Sequence, residues 1–141
     1  MMKQLEKAKE LLNLGGYTCV LCQGERTYTS TRRGVKPLVD WLESKQDFNG
    51  FFAADKVVGK GAAYLYVLLG VQGVYAQVIS KPALQVLNRY GIFTRYETLV
   101  DAIINRQGNG ICPFEQAVLE IYHPTAAYEA IRQKIKELNI L

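Results

Sequence analysis

A chain of 141 residues, 49% hydrophobic and 21% charged, has the composition of one globular domain with a core, which excludes a disordered or collagen-like chain. Lys and Arg number 17 against 13 Asp and Glu, a net charge of +4 that permits an anionic ligand without the concentrated basic stripe of nucleic-acid binders. Three cysteines, an odd count, exclude a complete disulfide framework and predict a cytoplasmic location; no secretory leader is expected, and no apolar run nears the ~20 residues of a membrane span.

In chain order, Leu5, Ala8, Leu11 and Leu12 fall near one face of a helix predicted over 3–13 and ended by Gly15-Gly16. Residues 17–23 and 26–30 are rich in β-branched and aromatic types. Gly24-Glu25 between them suits a two-residue turn with glycine first, so a β-hairpin is predicted. Pro37 takes an early position in a helix carrying Leu38, Val39, Trp41 and Leu42. Phe51 to Ala54 reads as a short strand buried on both faces. A helix is predicted from about Lys56 to Leu69, a strand from Val74 to Ile79, a helix from Pro82 to Tyr90 stopped by Gly91, and a last strand from Ile92 to Tyr96. The tail carries a Gly/Asn loop over 105–110, a helix from Pro113 to Tyr122, and a helix from Ala126 to Leu138 with Tyr128, Ile131, Ile135 and Leu138 on one side.

The strand–helix alternation in the middle implies parallel strands joined by right-handed crossovers. With the hairpin as an antiparallel addition, the expected fold is α/β: a mixed five-stranded sheet with helices on both faces. One domain is expected over 1–141, with an N-terminal helix at 3–13, a core at 17–97 and a C-terminal loop and helices at 98–141.

This order of elements resembles the cytidine-deaminase-like fold. The stretches RGVKPL, ADKVVGKGAAYLYVLLGV, SKPALQVLNRYGI, INRQGNGICP and FEQAV resemble more closely a bacterial and archaeal domain-of-unknown-function family (DUF1893-like) placed in that superfamily. The likeness runs from about Tyr17 to Val118, and its most specific part is Asp55 to Val71. It implies the three-layer deaminase-like fold. It does not bring the superfamily's zinc chemistry with it. A zinc deaminase needs His or Cys with a nearby Glu at one helix start and Pro-Cys-x-x-Cys at the next. Here the first position reads Ala53-Ala54-Asp55-Lys56 and the second Pro82-Ala83-Leu84-Gln85-Val86. No metal site and no cofactor is expected.

The candidate chemistry centres on Asp55, Lys56 and Lys60, placed where a strand end should meet a helix start, the usual ligand position in parallel sheets. Asp55 is expected to cap the helix, with Lys60 on the same face as Lys56 and the flanking glycines Gly59 and Gly61 allowing close approach. The bland alternative is a capping acid and two solvated lysines. Cys112, before Pro113 and with Glu115 three residues on, is the candidate nucleophile, and Asn109 and Gly110 in the preceding loop are candidate ligand contacts. The alternative there is an inert thiol beside a turn. Arg33 and Lys36 could meet phosphate, or be merely solvated. Cys19 and Cys22 lie three apart in a strand and so point to opposite faces, which argues against a shared metal. His123, before Pro124, reads as an exposed linker residue.

The leading expectation is therefore a small anionic or nucleotide-like ligand at the strand-to-helix edge. In any reaction Cys112 would attack or relay, Lys60 would stabilise developing negative charge and Asp55 would orient. A non-catalytic regulatory or oligomerising scaffold, which would allow a homo-oligomer, is the second class, and RNA binding a weaker third. Nucleic acid and membrane are not expected partners.

Overall fold

Gly24 adopts φ 59°, a left-handed backbone that glycine takes at little cost, and it turns β1 (Cys19–Gln23) back onto β2 (Arg26–Ser30) in register from Cys19–Ser30 to Gln23–Arg26. The computed structural model describes residues 2–138. Around the hairpin it places α1 (Met2–Gly15), α2 (Lys36–Glu43), β3 (Phe52–Val58), α3 (Lys60–Leu69), β4 (Gly73–Ser80), α4 (Lys81–Arg89), β5 (Phe93–Val100), α5 (Pro113–Ala117) and α6 (Pro124–Glu137). The sheet order is β2-β1-β3-β4-β5. β1 runs antiparallel to β3, and β3, β4 and β5 are parallel, so the predicted hairpin plus three parallel strands is what forms.

Three parallel strands added in one direction place both crossover helices on the same side of the sheet. α3 and α4 accordingly pack against Leu21, Ala53, Val74 and Ala76, joined by α2 and by α6 on the outer side of α3. α1 covers the other face, where Leu5, Ala8 and Leu12 meet Val20, Phe52, Ala54 and Tyr75. Cys19 belongs to the first layer and Cys22 to the second, as strand alternation requires. Helix α3 is enclosed on nearly every side; Lys60 through Tyr66 and Leu69 are buried. That explains why its apolar residues show no single stripe.

Four boundaries differ from the sequence reading. β3 continues to Val58, and α3 begins at Lys60 rather than Lys56. The polar pair Asp55-Lys56 looks like the end of a strand, but Asp55 and Val57 pair with Ala76 and Val78, and the Lys56 N–H donates to the Thr18 carbonyl at 3.2 Å. β5 likewise extends to Val100. The helix expected over Pro113 to Tyr122 stops at Ala117, and Leu138, assigned to the packed side of the last helix, is exposed.

Candidate functional site

Asp55 is not a helix cap. Its position in β3 turns it to the same face as Ala53, under α3, where it is only 6% exposed. One carboxylate oxygen accepts the Tyr66 hydroxyl at 2.7 Å and the other the Val57 N–H at 3.3 Å. The Tyr66 oxygen in turn lies 3.1 Å from the Cys19 sulfur. No ion pair with Asp55 forms among the described residues. Burial without a countercharge pushes its carboxyl up to about 7, against the opposing pull of the Tyr66 and Val57 hydrogen bonds. Burial, and then the Asp55 charge, push the Tyr66 hydroxyl and the Cys19 thiol well above their ordinary values.

The N-terminus of α3 is capped from a distance. Gly59 holds the N-cap position and offers no side chain, and the backbone N–H of Lys60 donates to Glu115 Oε2 at 2.5 Å. Glu115 sits on α5 and is itself buried. A Cβ at Gly59 would stand 2.7 Å from the Glu115 carboxyl carbon, so glycine here makes room for the cap. Lys60 does not extend into solvent. Its ammonium donates to the Leu119 carbonyl at 3.0 Å and lies 4.4 Å from the centre of the Tyr122 ring. Burial lowers its pKa, opposed by the charges of Glu115 and Glu120. Sequence reasoning missed Glu115 as a partner of Lys60, because the two are 55 residues apart. Its spacing from Cys112 suggested a local capping box instead, and Cys112 makes no side-chain cap bond.

Three hollows surround the first turn of α5. A rim hollow of about 290 Å³ is lined by Lys60, Tyr64, Gln85, Arg89, Glu115 and Tyr122, together with Asp101 and others. Its walls come from the segments that follow β3, β4 and β5. A crevice of about 70 Å³ lies beyond Glu115, bounded by Gly34, Gly59, Gly61 and Cys112. A basic hollow of about 670 Å³ follows, bounded by Arg32, Arg33, Lys36, Arg106 and Cys112. No carboxylate lines it among the described residues. Arg32 is bonded to Asp40 at 2.6 Å, while Arg33, Lys36 and Arg106 form no ion pair among those residues.

The candidate residues thus divide. Cys112, half-buried at the N-cap of α5, meets Gly59 in the crevice and Arg33 and Lys36 in the basic hollow. Lys60 belongs to the rim hollow. Asp55 lines none of the three, and neither does Lys56, which is exposed along the strand. Asn109 is engaged within its own loop by Asn105 at 2.9 and 3.2 Å, the Gly110 carbonyl accepts the Asn105 N–H at 2.8 Å, and neither residue borders the three. Arg89, Gln85 and Tyr122 are rim-hollow residues that the sequence reading did not single out. The signal available was their place on or after elements that follow parallel strands. His123 is an exposed N-cap of α6. Among the described residues no three His, Cys, Asp or Glu side chains converge as metal ligands, and no helix is long and apolar enough to cross a membrane.

A family model described as a domain of unknown function (DUF1893) matches residues 7–135. The chain is similar to a solved DUF1893 family protein from Thermotoga maritima, with 30% identity over 95% of this chain and 91% of that one and a TM-score of 0.85. No curated protein matches the chain.

Proposed function

The chain belongs to the DUF1893 family, and because that description states no activity, we propose a function from geometry: the protein binds a small anionic, nucleotide-like molecule in the rim hollow. One observation carries the reading. Segments following all three parallel strands wall a hollow of about 290 Å³ that combines two cations, Lys60 and Arg89, with the Gln85 amide and the rings of Tyr64 and Tyr122. That volume lies near the lower end of the ~300–1,000 Å³ of small-molecule sites. Arg89 is exposed and forms no ion pair among the described residues, so it can meet an anion beside the Asp101 and Glu115 carboxylates that share the lining. The rings offer stacking surface for a planar group.

We read the activity as binding. Cys112 opens on the far side of Glu115, and Asp55 lies inside the sheet–helix interface, so neither the expected nucleophile nor the expected orienting acid faces the rim hollow. The strand, helix, strand and Pro82-opened helix after a hairpin support placing the architecture with the cytidine-deaminase-like folds. The zinc of that superfamily does not fit these residues. The start of α3 offers Gly59, Lys60 and Gly61, and the start of α4 offers Lys81, Pro82 and Ala83, none of them a zinc ligand type. No step through zinc is derived. A second address for the anion is the basic hollow, favoured by its four cations and the absence of a lining carboxylate among the described residues.

A panel of nucleoside mono-, di- and triphosphates and inorganic phosphate, read by thermal shift and calorimetry, tests both. A ligand at 100 times its Kd should stabilise the fold by about 2.7 kcal/mol. Loss of that shift in Arg89→Ala but not in the double variant Arg33→Ala/Lys36→Ala supports the rim hollow. The opposite pattern assigns the basic hollow. No shift with any compound at millimolar concentration sinks the ligand reading.

A further inference from the structure

At one margin of the sheet, β5 is paired with β4 and with no other strand among the described residues. It is eight residues long, and Arg95 through Leu99 are all exposed. A strand of that length with an open edge is a template for another strand unless something covers or blunts it. The Phe93 N–H donates to the Gln72 carbonyl, so Phe93 and Arg95 direct their main-chain groups toward β4. By alternation Thr94 and Tyr96 direct theirs outward.

The side chains beside that open edge match their own reverse. Arg95 and Glu97 both lie on the α1 side: the guanidinium contacts Met2 and Phe93, and the Glu97 carboxylate accepts from Tyr75 at 3.0 Å and lies 3.6 Å from Lys9. Arg95 forms no ion pair among the described residues. Its neighbour on the same face, Glu97, is two strand positions away, about 7 Å along the chain.

We infer that β5 is the interface between two copies of this chain, paired antiparallel about a two-fold axis at Tyr96 to continue the sheet from one subunit into the next. In that register Tyr96 faces its counterpart as a hydrogen-bonded pair, using the N–H and C=O that point away from β4. Arg95 of each copy then stands directly opposite Glu97 of the other in a non-hydrogen-bonded pair, the closer kind, with Cα atoms about 4.5 Å apart. Two ion pairs form, one on each side of the axis, and Thr94 stands opposite Thr98. An isologous contact requires this kind of self-complementarity. The other margin of the sheet lacks it, since β2 is five residues long and carries a single charge, Arg26. The pairing is independent of the rim hollow, which lies beyond the strands' ends.

Sedimentation equilibrium of the full chain over a concentration series tests this, with circular dichroism and a melting curve as controls for folding. The expected mass is twice 15.9 kDa. Glu97→Arg alone and Arg95→Glu alone should each weaken the dimer at least about tenfold, since each loses two cross-strand ion pairs and gains like-charge contacts. Mixing the two variants should restore it, because one chain then carries arginine at both positions and faces glutamate at both positions of the other. Tyr96→Pro deletes an N–H the isolated chain does not use and should give a folded monomer. A chain that stays monomeric at every concentration overturns the inference. So does a dimer that is indifferent to Tyr96→Pro, or one that mixing fails to rescue; either places the contact on another face.

Discussion

Replacing Asp55 by Asn should change how stability depends on pH, and the size of the effect follows from the surroundings of the carboxyl. In the unfolded chain Asp55 titrates near 3.8, and in the folded protein burial raises this to about 7. A carboxyl with a raised folded value favours the fold while it is protonated. That stability is therefore fully present below about pH 4 and is lost as the pH rises through about 7. At about 1.4 kcal/mol per unit, the wild-type protein should lose roughly 3 kcal/mol between pH 5 and pH 8 from this group alone. The Asn variant keeps an oxygen for the Val57 N–H and a polar partner for Tyr66, but has no proton to lose. Urea unfolding of both proteins at pH 5, 6.5 and 8 gives the difference directly. The variant should gain roughly 3 kcal/mol on the wild type across that range. Parallel stability curves would refute the reasoning. They would mean that the two hydrogen bonds hold the carboxylate ionised despite its burial.

The cap across the fold gives two further expectations. Gly59→Ala drives a Cβ to within 2.7 Å of the Glu115 carboxyl carbon and should cost about 1–3 kcal/mol in urea unfolding; an unchanged midpoint would show that the α5 carboxylate shifts aside freely. Glu115→Gln keeps an oxygen for the Lys60 N–H but removes the negative charge at the α3 N-terminus, so the loss should be about 1 kcal/mol, read as a lower melting temperature. For the thiols, an aromatic disulfide reagent should titrate Cys112 alone in the native protein and all three cysteines in urea, because Cys19 and Cys22 are buried. A second thiol reacting at the native rate would mean that the hairpin opens easily.

Much of the architecture was legible because its signals are local. Gly24 marks the hairpin, and β-branched and aromatic runs mark the strands around it. Alternation with helices implies parallel pairing, and the observed order β2-β1-β3-β4-β5 agrees. The end of β3 was not legible. Asp and Lys after an apolar run look like a surface boundary, whereas strand pairing with β4 carries the backbone on to Val58 and turns Asp55 inward beneath Tyr66.

What the sequence by itself determined is the set of strands, their directions and the glycine turn between the first two, since neighbouring residues carry that information. Only the tertiary structure decided the company each charged group keeps. Glu115 reaches the start of α3 from 55 residues away, and the Lys60 ammonium settles against a carbonyl and a ring from the chain that follows α5. Periodicity reports which side of an element is buried. It cannot report what comes back from elsewhere in the chain to meet that side, and buried charges are placed by those returning segments.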